Sequence, residues 1–462
     1  MKNLHLSYYT IPVKLDSEKN KYLLVHGYTG AIDIVSEDVW KQMENALFDS
    51  FSDEFLMLLQ KRGYLTIRKK EEEFNYVSHF AQLLHRAQSK LYKTFGFIVT
   101  YNCNFRCPYC FENIISKHGD KWSKLTFSQE MVDKVYSAIN QIEPNKELRS
   151  NQMLLYGGEP LLRENVQIVK YILEKGEQLG YSFKIITNGY DLNYFLDILS
   201  PINTSLLQVT IDGNEKHHNE RRFHSIEGAS FWKILNNIGF ILKKEIRVLI
   251  RVNTDNNKFN DFNSLKEYCR KLGYLESPYF KIYSSILREF DTNADSSLTA
   301  NIDYIPTVSD LNQKHKSELN NEIRCQDFGI SRHFYDRLKN KSRCRFYSAS
   351  CSSQYGSFIF DPKGDIYSCI EIVGRQEYVI GNYLGEEIQW TKAKEYWFNR
   401  NVSNVNGCKW CKFSLLCGGP CLARVPYSKD GFSAFYCENY RLIFASCVNK
   451  AYEAYKNNKP IY

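Results

Sequence analysis

The chain of 462 residues contains no run of about 18 apolar residues, so no membrane-spanning helix is expected. Its opening, Met1-Lys2-Asn3-Leu4-His5, lacks the apolar stretch and small-residue cleavage site of a secretory signal, which points to the cytoplasm and to reduced thiols. Lys and Arg number 60 against 52 Asp and Glu, and this small excess forms no dense basic stripe; neither nucleic acid nor a membrane is expected as a partner. The 10 histidines form no metal-spaced pair; the only doublet, His217-His218, reads as loop structure. There is no Ser-His-Asp arrangement, no Walker-type phosphate loop, no internal repeat and no low-complexity tract. Cysteine, by contrast, is abundant, with 14 residues, and in a reducing compartment clustered cysteines are metal ligands more often than disulfides. With 43% hydrophobic and 24% charged residues, the chain has the composition of a globular protein of roughly two to four domains.

Residues 1–70 read as a separate module. Tyr22–His26 is a short apolar strand, Gly27-Tyr28-Thr29-Gly30 a hairpin turn and Ala31–Val35 the return strand. Ser36 caps a helix through Trp40 with Leu47 on the same face, a second helix carries Phe55, Leu56, Leu58 and Leu59, and Tyr64–Ile67 is a further strand. Strands with short helices in so few residues predict a winged-helix-like unit. The charge-rich Arg68–Glu73 then opens a helix, expected as a solvated linker over 71–94.

Over 95–300 strands alternate with amphipathic helices. The strands are Phe95–Thr100, Met153–Tyr156, Phe183–Thr187, Leu206–Ile211, Ile246–Arg251 and Tyr279–Tyr283, with helices such as Met131–Gln141 and Asn165–Leu179. This predicts the α/β class: a parallel sheet of about six β/α units, a partial TIM-like barrel, with its chemistry at the C-terminal strand ends. Residues 301–339 bridge to a segment, 340–440, with eight cysteines and little helical pattern, whose fold is expected to lean on what they bind; 441–462 reads as a C-terminal helix.

After the first barrel strand comes Cys103-Asn104-Phe105-Arg106-Cys107-Pro108-Tyr109-Cys110, spaced C-x3-C-x2-C. Three thiolates on one loop can ligate three irons of a cubane and leave the fourth open, as a catalytic metal requires. Zinc completed by a distant histidine is the alternative. The second strand ends in Tyr156-Gly157-Gly158-Glu159-Pro160, the third in Thr187-Asn188-Gly189, and the fourth in Thr210-Ile211-Asp212-Gly213, which runs on to Arg221-Arg222; the fifth ends in Arg251-Val252-Asn253. A glycine pair lets backbone approach a ligand closely, and a buried carboxylate can pair with an ammonium.

These motifs resemble those of the radical S-adenosylmethionine enzymes, over residues 95–300. The resemblance implies that Cys103, Cys107 and Cys110 hold a 4Fe–4S cluster and that Tyr109 lies beside the adenine. It places Tyr156, Gly157, Gly158, Glu159 and Asn188 around the cofactor, Thr210 on the ribose and Arg222 on the carboxylate, with Arg221 as a one-residue alternative. Arg251 and Asn253 are further candidates to face the cofactor. The family cleaves S-adenosylmethionine to methionine and a 5′-deoxyadenosyl radical that takes hydrogen from an unactivated carbon.

The C-terminal cysteines read C-x12-G-x4-C from Cys351, with Gly364 the glycine, then C-x2-C-x5-C-x3-C and a final Cys437, which resembles the SPASM domain of peptide-modifying radical enzymes. The resemblance assigns Cys344, Cys351, Cys369 and Cys421 to one auxiliary cluster, with Cys325 the fallback for Cys344. It assigns Cys408, Cys411, Cys417 and Cys437 to a second. Three 4Fe–4S clusters and S-adenosylmethionine are thus the implied cofactors; two zinc ribbons are the alternative. Cys269, Cys325 and Cys447 are left over as small hydrophobes.

In related enzymes a module like 1–70 binds the leader of a ribosomally made precursor peptide as an added strand. The implied activity is therefore crosslinking of such a precursor, with an external electron donor of flavodoxin or ferredoxin type. Cys369–Gly374 followed by Tyr378–Gly381 looks like thioether-forming maturases. A carbon–carbon crosslink, formylglycine generation as in anaerobic sulfatase maturases, and a non-enzymatic zinc-rich binding protein are the competing readings. The sequence names no catalytic acid or base.

Overall fold

The computed structural model describes residues 4–110, 112, 123–254, 260–286, 329–424, 437 and 440–461. The N-terminal module pairs β1 (His5–Leu6) with β5 (Leu65–Thr66), and β2 (Thr10–Lys14), β3 (Lys21–His26) and β4 (Ile32–Ser36) form an antiparallel sheet in that order. Ser36 does cap α1 (Glu37–Glu44), accepting the Val39 N–H at 3.2 Å, and Ser52 caps α2 (Asp53–Arg62) in the same way. Leu47 is not part of the buried face: α1 ends before it, the face closes at Trp40 and Met43, and Leu47 is 60% exposed.

The helix expected as a solvated linker, α3 (Lys70–Gln88), is a packed wedge. Phe74, Val77 and Ala81 are buried with Tyr9 and Tyr28 on one side and Val402, Val405 and Leu415 of the cysteine-rich region on the other. Glu73, inside the charge run, is buried and accepts hydrogen bonds from the Ser7 hydroxyl at 2.6 Å, the Tyr28 hydroxyl at 3.0 Å and the Tyr8 N–H at 3.0 Å. A carboxylate with three donors tolerates burial that a bare charge does not.

All six barrel strands form: β6 (Thr94–Ile98), β7 (Gln152–Tyr156), β8 (Ser182–Thr187), β9 (Thr204–Thr210), β10 (Val248–Thr254) and β11 (Phe280–Ile286), each parallel to the next. Helices α4 (Gln129–Ile142), α5 (Val166–Gln178), α6 (Glu215–Arg221), α7 (Phe231–Lys243) and α8 (Asn260–Lys271) lie between them in the chain. Alternate strand residues such as Phe183 and Ile185 pack with Val169, Ile172 and Leu173 of α5 in one continuous core.

Beyond α9 (Ile330–Asn340), the cysteine-rich region does not rest on metal alone. Its strand β12 (Ser357–Phe360) pairs parallel to β6, and β13 (Asp365–Tyr367), β14 (Gly381–Asn382) and β15 (Gln389–Trp390) continue antiparallel, so that both cysteine regions share one ten-stranded sheet. Phe358, Phe360, Ile366, Tyr367 and Tyr383 are buried in the barrel core. The terminal helix α10 (Tyr440–Lys456) packs on α9 and β2.

Asp361, just after β12, joins the two regions. It is fully buried; one carboxylate oxygen accepts the Tyr101 hydroxyl at 2.6 Å and the other the N–H groups of Lys363 and Asp365 at 2.9 and 2.8 Å. Burial nevertheless pushes its carboxyl up to about 7. An acid raised on folding binds its proton more tightly in the native state, so its contribution to stability falls as pH rises through the window from roughly 4 to 7. The melting temperature of the wild type minus that of Asp361→Asn is therefore expected to decrease across that window in a thermal-melt series.

Candidate active site

The loop after β6 carries the first three cysteines and is held from below. Gly158 donates its N–H to the Thr100 carbonyl at 2.9 Å, and Glu159 donates to that of Asn102 at 2.8 Å. The glycine pair makes a close approach possible, to the chain itself: a Cβ at Gly158 would lie 2.4 Å from the Asn102 carbonyl oxygen, and one at Gly157, whose φ is +152°, 2.4 Å from that of Thr100. Within the loop the Phe105 N–H points at the Cys103 sulfur at 3.4 Å.

All three thiols are shielded. Burial pushes Cys103 far above its usual range, Cys107 upward and Cys110 up to about 12, and Cys103 is raised further by Glu159, Cys107 and Cys110. Glu112, two residues on, is raised to about 8 by burial and then by Glu159; its Oε1 has no hydrogen-bond partner among the described residues. Buried thiols that disfavour one another's ionisation suit a cationic iron–sulfur centre, which reverses that balance by binding thiolate. No three His, Cys, Asp or Glu among the described residues sit close enough to hold a single metal ion; the cluster assignment stands on the loop's donor set.

Four strand ends meet this loop. Glu159 is buried and accepts from the Thr187 hydroxyl at 2.5 Å, the Asn188 N–H at 2.6 Å and the Leu161 N–H at 2.9 Å, while burial raises its carboxyl to about 7. Asn188 donates its side-chain amide to Asn104 of the cysteine loop at 2.7 Å. Tyr156 lies where Glu112, Cys110, Arg251 and Glu371 all act on its hydroxyl, so this strand end faces both cysteine regions. Thr210 is buried opposite Arg251 in the β9–β10 register, and Arg251 donates to Ser285 at 3.2 Å but leaves its Nε without a partner among the described residues.

At the opposite rim the Tyr109 hydroxyl donates to Asp212 and accepts from Arg222 Nη1 at 2.8 Å and Asn253 Nδ2 at 3.3 Å. Arg222 is buried and Arg221 only partly so. Arg222 Nε has no partner among the described residues, leaving a buried donor for an acceptor from outside the chain. The sequence assigns Asp212 no role, although it stands in the Thr210–Gly213 run, because nothing in its spacing tells an internal acceptor from a ligand contact. His217 and His218, expected in a loop, lie instead on α6, where Asn214 caps the helix by accepting the His217 N–H; His218 is buried, with Nδ1 accepting from the Asp212 N–H at 3.1 Å and Nε2 bonded to Ser230 at 2.9 Å.

The C-terminal cysteines fall into groups. Cys369 is raised by burial and Glu371, and further by Cys421 and Cys351. Cys408 is raised to about 12 by burial, Cys411 and Cys437, and Cys417 by burial and the thiols of Cys408, Cys437 and Cys411. Cys344 lies apart under the β3–β4 turn, 3.7 Å from His333 Nε2, with Arg337 as its charged neighbour. Cys269 and Cys447 are buried, and Cys325 lies outside the described residues.

Residues 97–261 match the radical SAM superfamily. The chain carries a radical SAM domain. Along nearly its whole length, 97% of this chain and 96% of the relative, it is 22% identical to the radical SAM cyclopropyl synthase TigE of Paramaledivibacter caminithermalis. It is 25% identical to a cysteine-type anaerobic sulfatase-maturating enzyme of Clostridium novyi, over 76% of this chain and 93% of that one. Among solved structures, native anSMEcpe with bound AdoMet and Cp18Cys peptide superposes with a TM-score of 0.56 at 16% identity, covering 80% of this chain and 99% of the other, which establishes a shared fold. No helix among the described residues is long and apolar enough to cross a membrane.

Proposed function

We propose that this radical SAM protein is a peptide maturase that crosslinks a ribosomally made precursor, most simply through a cysteine thioether. The observation that carries the reading is the joining of two cysteine-rich regions by the β6–β12 pair, with Tyr156 between them. When bound, the iron–sulfur cluster and S-adenosylmethionine supply one-electron chemistry and hydrogen-atom abstraction from an unactivated carbon.

The chain's own residues bind and orient. Cys103, Cys107 and Cys110 would hold an iron–sulfur cluster through their three thiolates. Glu159 makes three bonds within the protein; a carboxylate has about four acceptor positions, so one remains for the cofactor ammonium. Tyr109 flanks the adenine, Thr210 the ribose and Arg222 the carboxylate, with Tyr156, Gly157, Gly158, Asn188, Arg251 and Asn253 completing the walls. Cys351, Cys369 and Cys421, with Cys344 as fourth candidate, hold one auxiliary cluster; Cys408, Cys411, Cys417 and Cys437 hold the other. Residues 1–70 receive the leader peptide along β4, which among the described residues pairs with β3 alone. A flavodoxin- or ferredoxin-type partner would supply the reducing electron.

Two relatives favour second readings: the cyclopropyl synthase favours carbon–carbon bond formation, and the sulfatase-maturating enzyme favours oxidation of cysteine to formylglycine. One experiment separates all three. The reconstituted enzyme is incubated with S-adenosylmethionine, reductant and a cysteine-containing candidate precursor, and the peptide is weighed before and after thiol alkylation. A thioether removes two hydrogens and blocks alkylation. A carbon–carbon bond removes two hydrogens and leaves thiols reactive, whereas formylglycine formation loses the sulfur.

A further inference from the structure

We propose that Asp212 is the positioning residue of the pocket's anion-binding end, holding Tyr109 and through it Arg222 so that the guanidinium faces the carboxylate of S-adenosylmethionine; the proposal rests on the radical SAM reading of this site. Three segments far apart in the chain converge here. Tyr109 comes from the cysteine loop, Asp212 from the end of β9 and Asn253 from β10, and all meet at one phenolic oxygen. The Tyr109 hydroxyl cannot turn away, because it donates to Asp212 while accepting from Arg222. With Nη1 so engaged, the guanidinium plane is fixed and its Nε is left as a buried donor with no acceptor among the described residues. A planar fork held in this way presents its remaining edge to a carboxylate, which it binds as a charge-assisted pair. Asp212 is itself 1% exposed. Burial raises its carboxyl above the usual range, while Arg222, the Tyr109 hydroxyl and Arg221 act in the opposite direction and favour its charged form.

A purely structural role for Asp212 is separable, because the loop backbone is closed without its side chain. The Asp212 N–H donates to His218 Nδ1 at 3.1 Å, His218 Nε2 meets the Ser230 hydroxyl at 2.9 Å, and that hydroxyl donates to the Arg222 carbonyl at 2.6 Å. This ring ties the main-chain N–H of residue 212 to the main-chain carbonyl of residue 222 through the His218 and Ser230 side chains, without the Asp212 carboxylate. Burial lowers the His218 pKa well below its usual value, which keeps the imidazole neutral, as the ring requires. Asp212→Asn therefore preserves the loop while removing the charge that orients Tyr109 and Arg222.

The test measures binding rather than turnover. Full-length protein, anaerobically reconstituted with iron and sulfide, is titrated by equilibrium dialysis with S-adenosylmethionine and separately with 5′-deoxyadenosine, which has no carboxylate. Asp212→Asn is expected to weaken S-adenosylmethionine binding by about tenfold or more, as for loss of a charge-assisted contact, and to leave 5′-deoxyadenosine binding unchanged. Tyr109→Phe breaks the same relay while keeping the ring, and is expected to weaken S-adenosylmethionine binding more than 5′-deoxyadenosine binding should the Asn variant not fold. In an Arg222→Lys background Asp212→Asn adds nothing further, since the two act through one contact. Equal weakening of both ligands, or no weakening of either, overturns the assignment of Asp212. A wild-type protein that binds no S-adenosylmethionine overturns the radical SAM reading of the site and the proposal with it.

Discussion

Replacing Cys103, Cys107 and Cys110 together by alanine is expected to abolish 5′-deoxyadenosine formation while leaving the chain folded. The first half follows from chemistry: with no thiolate on the loop, no iron is held beside Glu159 and Tyr109, and the cofactor has no electron source. The second half follows from the loop's scaffold: the variant loses the Phe105 N–H to Cys103 sulfur contact but keeps the backbone bonds from Gly158 to Thr100 and Glu159 to Asn102 and the Asn188–Asn104 amide pair, none of them involving sulfur. Mass spectrometry of the dithionite-reduced, reconstituted protein with S-adenosylmethionine reads the activity. Metal analysis gives about twelve irons per chain for three cubanes in the wild type and about eight in the variant. A wild type that binds zinc and releases no deoxyadenosine would instead make the protein a metal-stabilised binding module.

The second large effect is expected at Gly158. Its ideal Cβ would stand 2.4 Å from the Asn102 carbonyl oxygen and 2.6 Å from that of Tyr101, and both obstacles are backbone, so neither can rotate aside. Gly158→Val must push the cysteine loop off the end of β7, breaking the Glu159–Asn102 bond and displacing Glu159 from the pocket. Overpacking of a closed contact costs about 1–3 kcal/mol, and the loss of the adjoining hydrogen bond adds about 1 kcal/mol. Thermal melts of the apoprotein should show the destabilisation, and equilibrium dialysis should show that S-adenosylmethionine binding is lost. A variant that melts and binds like wild type would mean that the loop can settle elsewhere and that the glycine pair is not what seats it.

The chain was legible wherever the signal was local. The hairpin at Gly27–Gly30, the Ser36 cap and the six barrel strands each follow from a few neighbouring residues whose periodicity or hydrogen-bonding groups act within one element. Glu73 shows the limit: a Glu in a run of charges looks solvated, and only the arrival of Ser7, Tyr8 and Tyr28 from the far end of the module makes its burial favourable. The same holds for Leu47, whose apolar side chain predicts burial but whose helix ends before reaching it.

By itself the sequence determined the cysteine loop, the order of strands and helices over 95–300, and the set of side chains offered at those strands' C-terminal ends, because spacing along a loop and alternation along a strand are properties of adjacent residues; it did not mark β1, β2 or β12–β15. Only the tertiary structure decided that β12 adds to β6 and so brings the two cysteine regions onto one sheet, and that Tyr109, Asp212, Arg222 and Asn253 meet at a single oxygen. Such contacts depend on which strand pairs with which and in what register, and those choices are settled by burial of the whole core rather than by any segment alone.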